Sequence, residues 1–144
     1  MISKKEILKK YPRFFDYLKE EKGPRSPMIF GIECRNGWLD LVDHTLGCIY
    51  QYSVRQEAMH EEFKFPRIKQ IKEKFGGLEI YIEDGDLYMF GMVSLSSYIS
   101  RRTCEFCGTQ RNVGRTHGGW VYTSCELCQE KNERAKDLEW IPND

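Results

Sequence analysis

The chain has 144 residues, enough for one domain or one domain with a small appendage. Its 22 basic side chains balance 22 acidic ones, which argues against a chain-wide nucleic-acid coat but leaves room for a local basic patch. No apolar run approaches the roughly 20 residues of a membrane helix. Met1-Ile2-Ser3-Lys4-Lys5-Glu6 has no apolar signal core, so the expected setting is a reducing cytoplasm with free thiols.

Ser3-Lys4-Lys5-Glu6 matches a capping box and predicts a short helix, interrupted at Pro12. Phe14, Phe15, Tyr17 and Leu18 follow as an apolar cluster, and Gly23-Pro24-Arg25-Ser26-Pro27 is a loop by its breakers. Met28 to Cys34 reads as a short buried strand or extended segment. After Asn36-Gly37, the helical spacing of Trp38, Leu41, Val42, Thr45, Leu46, Ile49 and Tyr52 predicts a helix from about Trp38 to Glu57. Met59 to Phe65 is a loop.

Leu78, Ile80 and Ile82 alternate as on a half-buried strand, and Gly76-Gly77 before them turns the chain. A hairpin is the natural reading, with Arg67 to Phe75 as its first strand, although Ile68, Ile71 and Phe75 also fit a helical stripe. Asp84-Gly85-Asp86 can cap the next helix, expected from Asp86 to about Ser100. Leu87, Phe90 and Val93 mark one face of it, and Met92, Leu95 and Ile99 widen the apolar surface, which predicts a well-buried helix.

Cys104, Cys107, Cys125 and Cys128 read C-x-x-C, seventeen residues, C-x-x-C, a spacing typical of zinc sites. Zinc takes four ligands in a tetrahedron, and a two-residue gap lets one tight turn aim two thiolates at one point. Four protein ligands leave no position for water, so the predicted zinc is structural. Two disulfides, four buried thiols, or His117 in place of one cysteine are the competing accounts. Between the pairs, Arg111 to Arg115 and Trp120 to Thr123 have strand character around the turn His117-Gly118-Gly119. Ser124 can cap a helix from about Cys125 towards Leu138, where Glu130 and Arg134 would pair. Knuckle, hairpin and ligand-bearing helix together resemble a treble-clef finger. The expected fold is α+β: residues 1–100 form a globular part of helices packed with a small antiparallel hairpin or sheet, and residues 101–144 form the finger packed on it.

Gly31-Ile32-Glu33-Cys34, Gly37-Trp38, Ile71-Lys72-Glu73-Lys74-Phe75-Gly76-Gly77-Leu78 and Thr103-Cys104-Glu105-x-Cys107-Gly108, with any residue at x, occur in this order. Together they resemble a family of small, largely uncharacterised proteins of bacteriophages and prophage-bearing bacteria. The resemblance runs from about Tyr11 to Cys128, and the I-K-E-K-F-G-G-L run is its most specific part. In that family the second metal half reads Cys-x-x-His as often as Cys-x-x-Cys. The resemblance implies no activity. It implies a phage setting, in which small proteins act on host machinery, and it does so by analogy.

Lys64, Arg67, Lys69, Lys72 and Lys74, flanked by Phe63, Phe65 and Phe75, could track phosphates and stack bases. A solvated strand that protects a sheet edge is the preferred account. Arg101, Arg102, Arg111 and Arg115 lie near the finger and could fold into one patch. Gly76-Gly77 lacks the pattern of a phosphate loop, so a nucleotide role for Lys72 or Lys74 has no motif behind it. Asp40, Asp43 and His44 fall at i, i+3, i+4 and could do acid–base work, but a solvated helix face explains them better. Cys34 and Cys48 are expected to be buried small hydrophobes, and Trp140 either anchors a partner or folds back. The chain is therefore expected to be a non-enzymatic binding protein with structural zinc. It would block a host macromolecule, a protein in the first instance, as an anti-defence inhibitor. A nucleic-acid-binding regulator using Arg101, Arg102, Arg111, Arg115, Lys72 and Lys74 is the first alternative. An enzyme or nucleotide-binding protein is the second.

Overall fold

The computed structural model describes residues 1–144. Helix α1 spans Lys4–Lys10 and begins with the expected capping box, in which Ser3 Oγ accepts from the Glu6 amide and Glu6 accepts from the Ser3 amide. Pro12–Phe14 and Asp16–Lys19 form 3₁₀ turns. Pro27–Phe30 is another 3₁₀ turn, so only Ile32–Glu33 of the expected extended segment is a strand, β1. Helix α2 covers Leu39–Met59 and enters through a 3₁₀ turn at Asn36–Trp38. Its apolar stripe Leu39, Val42, Leu46 and Ile49 is buried.

Strands β2 (Arg67–Lys74) and β3 (Gly77–Glu83) form the expected hairpin. β1 adds to β2 in parallel, which makes a three-stranded sheet. The helix-like spacing of Ile68 and Ile71 has a geometric cause. The register shifts between Ile68 and Gln70, and an extra residue resets the alternation, so both isoleucines face the core. Phe75 is not part of the apolar stripe. It occupies the turn itself.

Helix α3 (Leu87–Ser100) starts at the Asp86 cap, whose carboxylate accepts from the Met89 amide. It is not the well-buried helix expected. Its buried residues are Met89, Ser96 and Ser100, while Leu87, Tyr88, Phe90, Leu95 and Tyr98 are exposed. Of its two inward serines, Ser100 Oγ donates to the Ser97 carbonyl and accepts from the Leu78 amide, whereas Ser96 Oγ is buried without a hydrogen-bond partner. The principal core joins Ile7, Phe14, Trp38, Leu46, Ile68, Ile71, Leu78 and Met89 from all of these elements.

The C-terminal part is a second three-stranded sheet, ordered β5–β4–β6, with β4 at Val113–His117, β5 at Thr123–Cys125 and β6 at Glu139–Pro142. Both expected finger strands are displaced towards the C-terminus. The expected long last helix is only α4, Glu126–Glu130, followed by a 3₁₀ turn at Glu133–Ala135. The Glu130–Arg134 helical pair is therefore not formed. The chain instead returns as β6, antiparallel to β4, and Trp140 folds back to donate its Nε1–H to the Ser124 carbonyl. A second small cluster contains Cys104, Val113 and Cys125.

The entry of α2 meets the cysteine knuckle through a close joint. The Gly37 amide donates to the Glu105 carbonyl at 2.9 Å, and buried Trp38 Nε1 donates to the Thr103 carbonyl at 2.8 Å. A Cβ on Gly37 would lie 2.2 Å from the Cys104 carbonyl oxygen. Gly37→Ala must therefore separate two backbone segments. It is expected to cost about 1–3 kcal/mol, the usual scale of overpacking, in urea unfolding at neutral pH. Unchanged stability would show that the joint yields freely.

Candidate metal centre and surrounding surfaces

Cys104 and Cys107 are brought together by a tight knuckle. The Gly108 amide donates to the Cys104 carbonyl, the Cys104 amide donates to the Thr109 carbonyl, and Gly108 takes a positive φ of 80°. Cys125 closes β5 and caps α4, and Cys128 sits on that helix. The four thiol sulfurs lie within 4.8 Å of one another, with Cys107 and Cys125 at 3.8 Å. A tetrahedron of sulfurs about 2.3 Å from a central ion has edges of about 3.8 Å, so the four thiols fit one metal ion. The order of knuckle, hairpin and helix is the order expected. His117 lies at the far end of β4, opposite Glu139, and takes no part. In the metal-free chain, burial first and the neighbouring thiols second push Cys128 up. A bound dication reverses that sense, because a coordinating thiol is deprotonated outright.

Glu105, between the first two cysteines, stands in the sequence only as part of the Thr103 to Gly108 run, which assigns it no role. It is 2% exposed. Its carboxylate accepts from Arg35 Nε and from the Thr123 amide, both at 3.0 Å. The Arg35 guanidinium also lies over the Phe106 ring, 4.7 Å from its centroid. Burial raises Glu105 above the ordinary carboxylate value, against the pull of the Thr123 amide and Arg35. Only the tertiary fold brings Arg35 to this carboxylate.

The basic residues separate into groups. Arg101, Arg102 and Arg115 line one recess of about 430 Å³ with Tyr98, His117 and Asp144, and Arg111 is not part of its lining. Arg101 is committed locally, donating to the Ser97 carbonyl and hydroxyl. Lys72 stands in register with Glu33 on one side and Glu79 on the other, and Lys74 is exposed at the end of the hairpin. These lysines do not join the recess of arginines.

The Asp40, Asp43 and His44 trio is split. Asp43 turns to α1, where it pairs with Lys10 at 2.9 Å and accepts from Tyr11 Oη at 2.8 Å. Asp40 and His44 are exposed and line a groove of about 460 Å³ between α2 and α3, together with Cys48, Leu41, Met92 and Leu95. Cys48 is therefore exposed, not buried as expected, because it faces the groove. Cys34 is buried, and loss of hydration pushes its thiol up to about 12, which leaves it protonated and weakly nucleophilic near neutral pH.

No helix is long and apolar enough to cross a membrane. Compared with family models, with curated proteins and with solved structures, the chain has no match.

Elemental analysis of protein purified without chelator is expected to find about one metal ion per chain. Cys104→Ser should lose that ion and lower the melting temperature, because metal binding and folding are coupled. Retained metal and an unchanged melting curve would contradict the assignment. A second expectation concerns acid. Burial alone would raise Asp43, but hydrogen bonds from Lys10 and Tyr11 outweigh it and hold the carboxyl below its ordinary value of 3.8. Its contribution is therefore present above that value and is lost as pH falls through the lower folded value. Asp43→Asn should be less stable than the parent at neutral pH, with the difference shrinking below about pH 4. A difference independent of pH would place the Asp43 contribution elsewhere.

Proposed function

We propose that the chain is a non-enzymatic binding protein with structural zinc, of the phage-associated kind its I-K-E-K-F-G-G-L run resembles, and that it occludes a functional surface of a host protein. Four thiolates in a closed set suit zinc and give no open position for chemistry. Cys34 is protonated and Asp43 is committed to Lys10 and Tyr11, which also favours binding over catalysis.

The observation that carries the proposal is Phe75. It joins Lys74 to Gly77 with Gly76, and both turn residues have positive φ, 50° and 77°. A two-residue turn of this hand favours Asn or Gly at the first position. An aromatic residue held there costs on the order of 1–3 kcal/mol, and burial gives nothing back, because Phe75 is 75% exposed. The second aromatic tip is close by. The Thr123 hydroxyl donates to the Gly76 carbonyl, and Gly76 packs against Val121, the neighbour of Trp120. Trp120 is 64% exposed and lines a recess of about 310 Å³ with Arg35, Glu73, Glu105 and Arg134. Two exposed aromatics on neighbouring turns, beside charges of both signs, have the character of a protein-binding hot spot.

The recess of Arg101, Arg102, Arg115 and Tyr98 supports the second reading, nucleic-acid contact. Affinity capture from host lysate at rising salt separates the two. A protein partner held with little salt dependence supports the proposal, and nucleic acid released steeply by salt supports the alternative. In the protein case, Phe75→Asn combined with Trp120→Ala should weaken binding by roughly 1,000-fold, since each hot-spot truncation costs about 2 kcal/mol. Phe75→Asn alone should raise the melting temperature, because Asn relieves the turn. Undiminished binding by the double variant would overturn the assignment of this surface.

A further inference from the structure

Helix α3 carries no charged residue from Leu87 to Ser100, yet turns large apolar side chains to solvent. Among its exposed positions Tyr88, Gly91, Leu95 and Tyr98 follow a 3-4-3 spacing, the seam of two heptads. Leu95 is 52% and Tyr98 58% exposed. Gly91 sits in the middle with nothing within 4 Å of where its Cβ would be, so another backbone can approach closely there. A contiguous apolar face of this kind marks an interaction surface.

The charges at its ends indicate which partner fits. Exposed Asp84 lies just before the helix and exposed Arg102 just after it, and neither belongs to the ion pairs within the chain. We propose that α3 is a self-association surface, on which a second copy of this chain packs its own α3 antiparallel about a two-fold axis level with Val93. That register sets Tyr88 against Tyr98 of the second copy, Gly91 against Leu95, and Asp84 against Arg102. A large side chain then meets the gap above glycine, and each acidic end meets a basic one. A parallel pairing would instead set Asp84 beside Asp84 and Arg102 beside Arg102. The antiparallel arrangement also opposes the two helix dipoles favourably. It is isologous, so it closes as a dimer and does not propagate. Phe75 and Trp120 are not residues of this seam, so separate substitutions test the two proposed surfaces, whereas Tyr98 and Arg102 also line the recess of the nucleic-acid reading.

The seam spans 14 residues, about 21 Å, a single short helix against the roughly 20–30 residues per side of a standard interface. The proposed dimer is accordingly a weak one. Sedimentation equilibrium of the metal-loaded chain tests it across micromolar to millimolar concentration. A reductant that spares the metal prevents exposed Cys48 from cross-linking two copies. The weight-average mass should rise from 17.1 kDa towards twice that value. Leu95→Glu and Arg102→Glu should each weaken association at least tenfold with metal content unchanged. Asp84→Lys combined with Arg102→Glu should restore it, because the swapped charges meet again across the axis. Asp84 has a φ of 60°, so circular dichroism melting of the double variant confirms that it folds. If Asp84→Lys does not fold, mixing Arg102→Glu with Asp84→Asn serves instead: the mixture should associate more strongly than either variant alone, because only the mixed dimer regains an Asp84–Arg102 pair. A 17.1 kDa species throughout, or a dimer indifferent to Leu95→Glu, overturns the proposal. Association lost in Leu95→Glu but insensitive to the charge changes overturns the antiparallel register.

Discussion

The rest of the structure depends on the joint at residue 37, where two backbones approach too closely for any side chain. Gly37 meets Glu105 through a backbone hydrogen bond, Trp38 reaches the Thr103 carbonyl, and Arg35 reaches the Glu105 carboxylate. The same carboxylate then receives the Thr123 amide, two residues before Cys125. Three contacts from the entry of α2, made by Arg35, Gly37 and Trp38, therefore hold the first half of the four-thiol centre, and Glu105 carries the support on to the second. Trp38 is fully buried in the main core, so the core and the metal centre share one support. A polar network buried this deeply has to be fully partnered, because each orphaned group would cost its whole desolvation penalty.

With the scaffold held in this way, two places depart from local rules. Phe75 takes a left-handed conformation that suits glycine or asparagine, and α3 buries serines while exposing leucine and tyrosine. Packing within the chain does not account for Phe75, and on the exposed seam of α3 it engages only Tyr88, stacked on Tyr52, and Tyr98, beneath Arg102. Sequences otherwise agree with their folds across levels, and departures concentrate where a surface has a further task. The two departures lie on separate surfaces, one at the tips of the two hairpins and one along a helix. A chain with balanced charge suits such contacts, because no long-range field of one sign commits it to nucleic acid.

The local signals of the sequence were dependable wherever neighbours along the chain decide the outcome. The capping box at Ser3, the stripe of α2, the hairpin around Phe75-Gly76 and the C-x-x-C pairs all formed close to where they were expected. Ile68 and Ile71 kept both a helical and a strand reading open because a bulge imitates helical spacing. Trp140 remained open for a related reason: β6 exists only because β4 offers it an edge. The expected final helix stopped at Glu130, since Leu127, Ala135 and Leu138 gave it too thin an apolar seam to bury, and the strand pairing of Glu139–Pro142 took the chain away.

By itself, then, the sequence determined the identity of the four thiols, the mixed α and β character, and most element boundaries in the first hundred residues. These follow from spacing, periodicity and turn chemistry, which act over a few residues. Only the tertiary structure decided which faces were left for solvent. It divided Asp43 from Asp40 and His44, sent Cys48 outward, gathered Arg101, Arg102 and Arg115 without Arg111, and left Leu95 and Tyr98 of α3 exposed while burying Met89, Ser96 and Ser100. The physical reason is common to all four. A face is buried or exposed according to what packs against it, and those partners lie tens of residues away, where no local pattern records them.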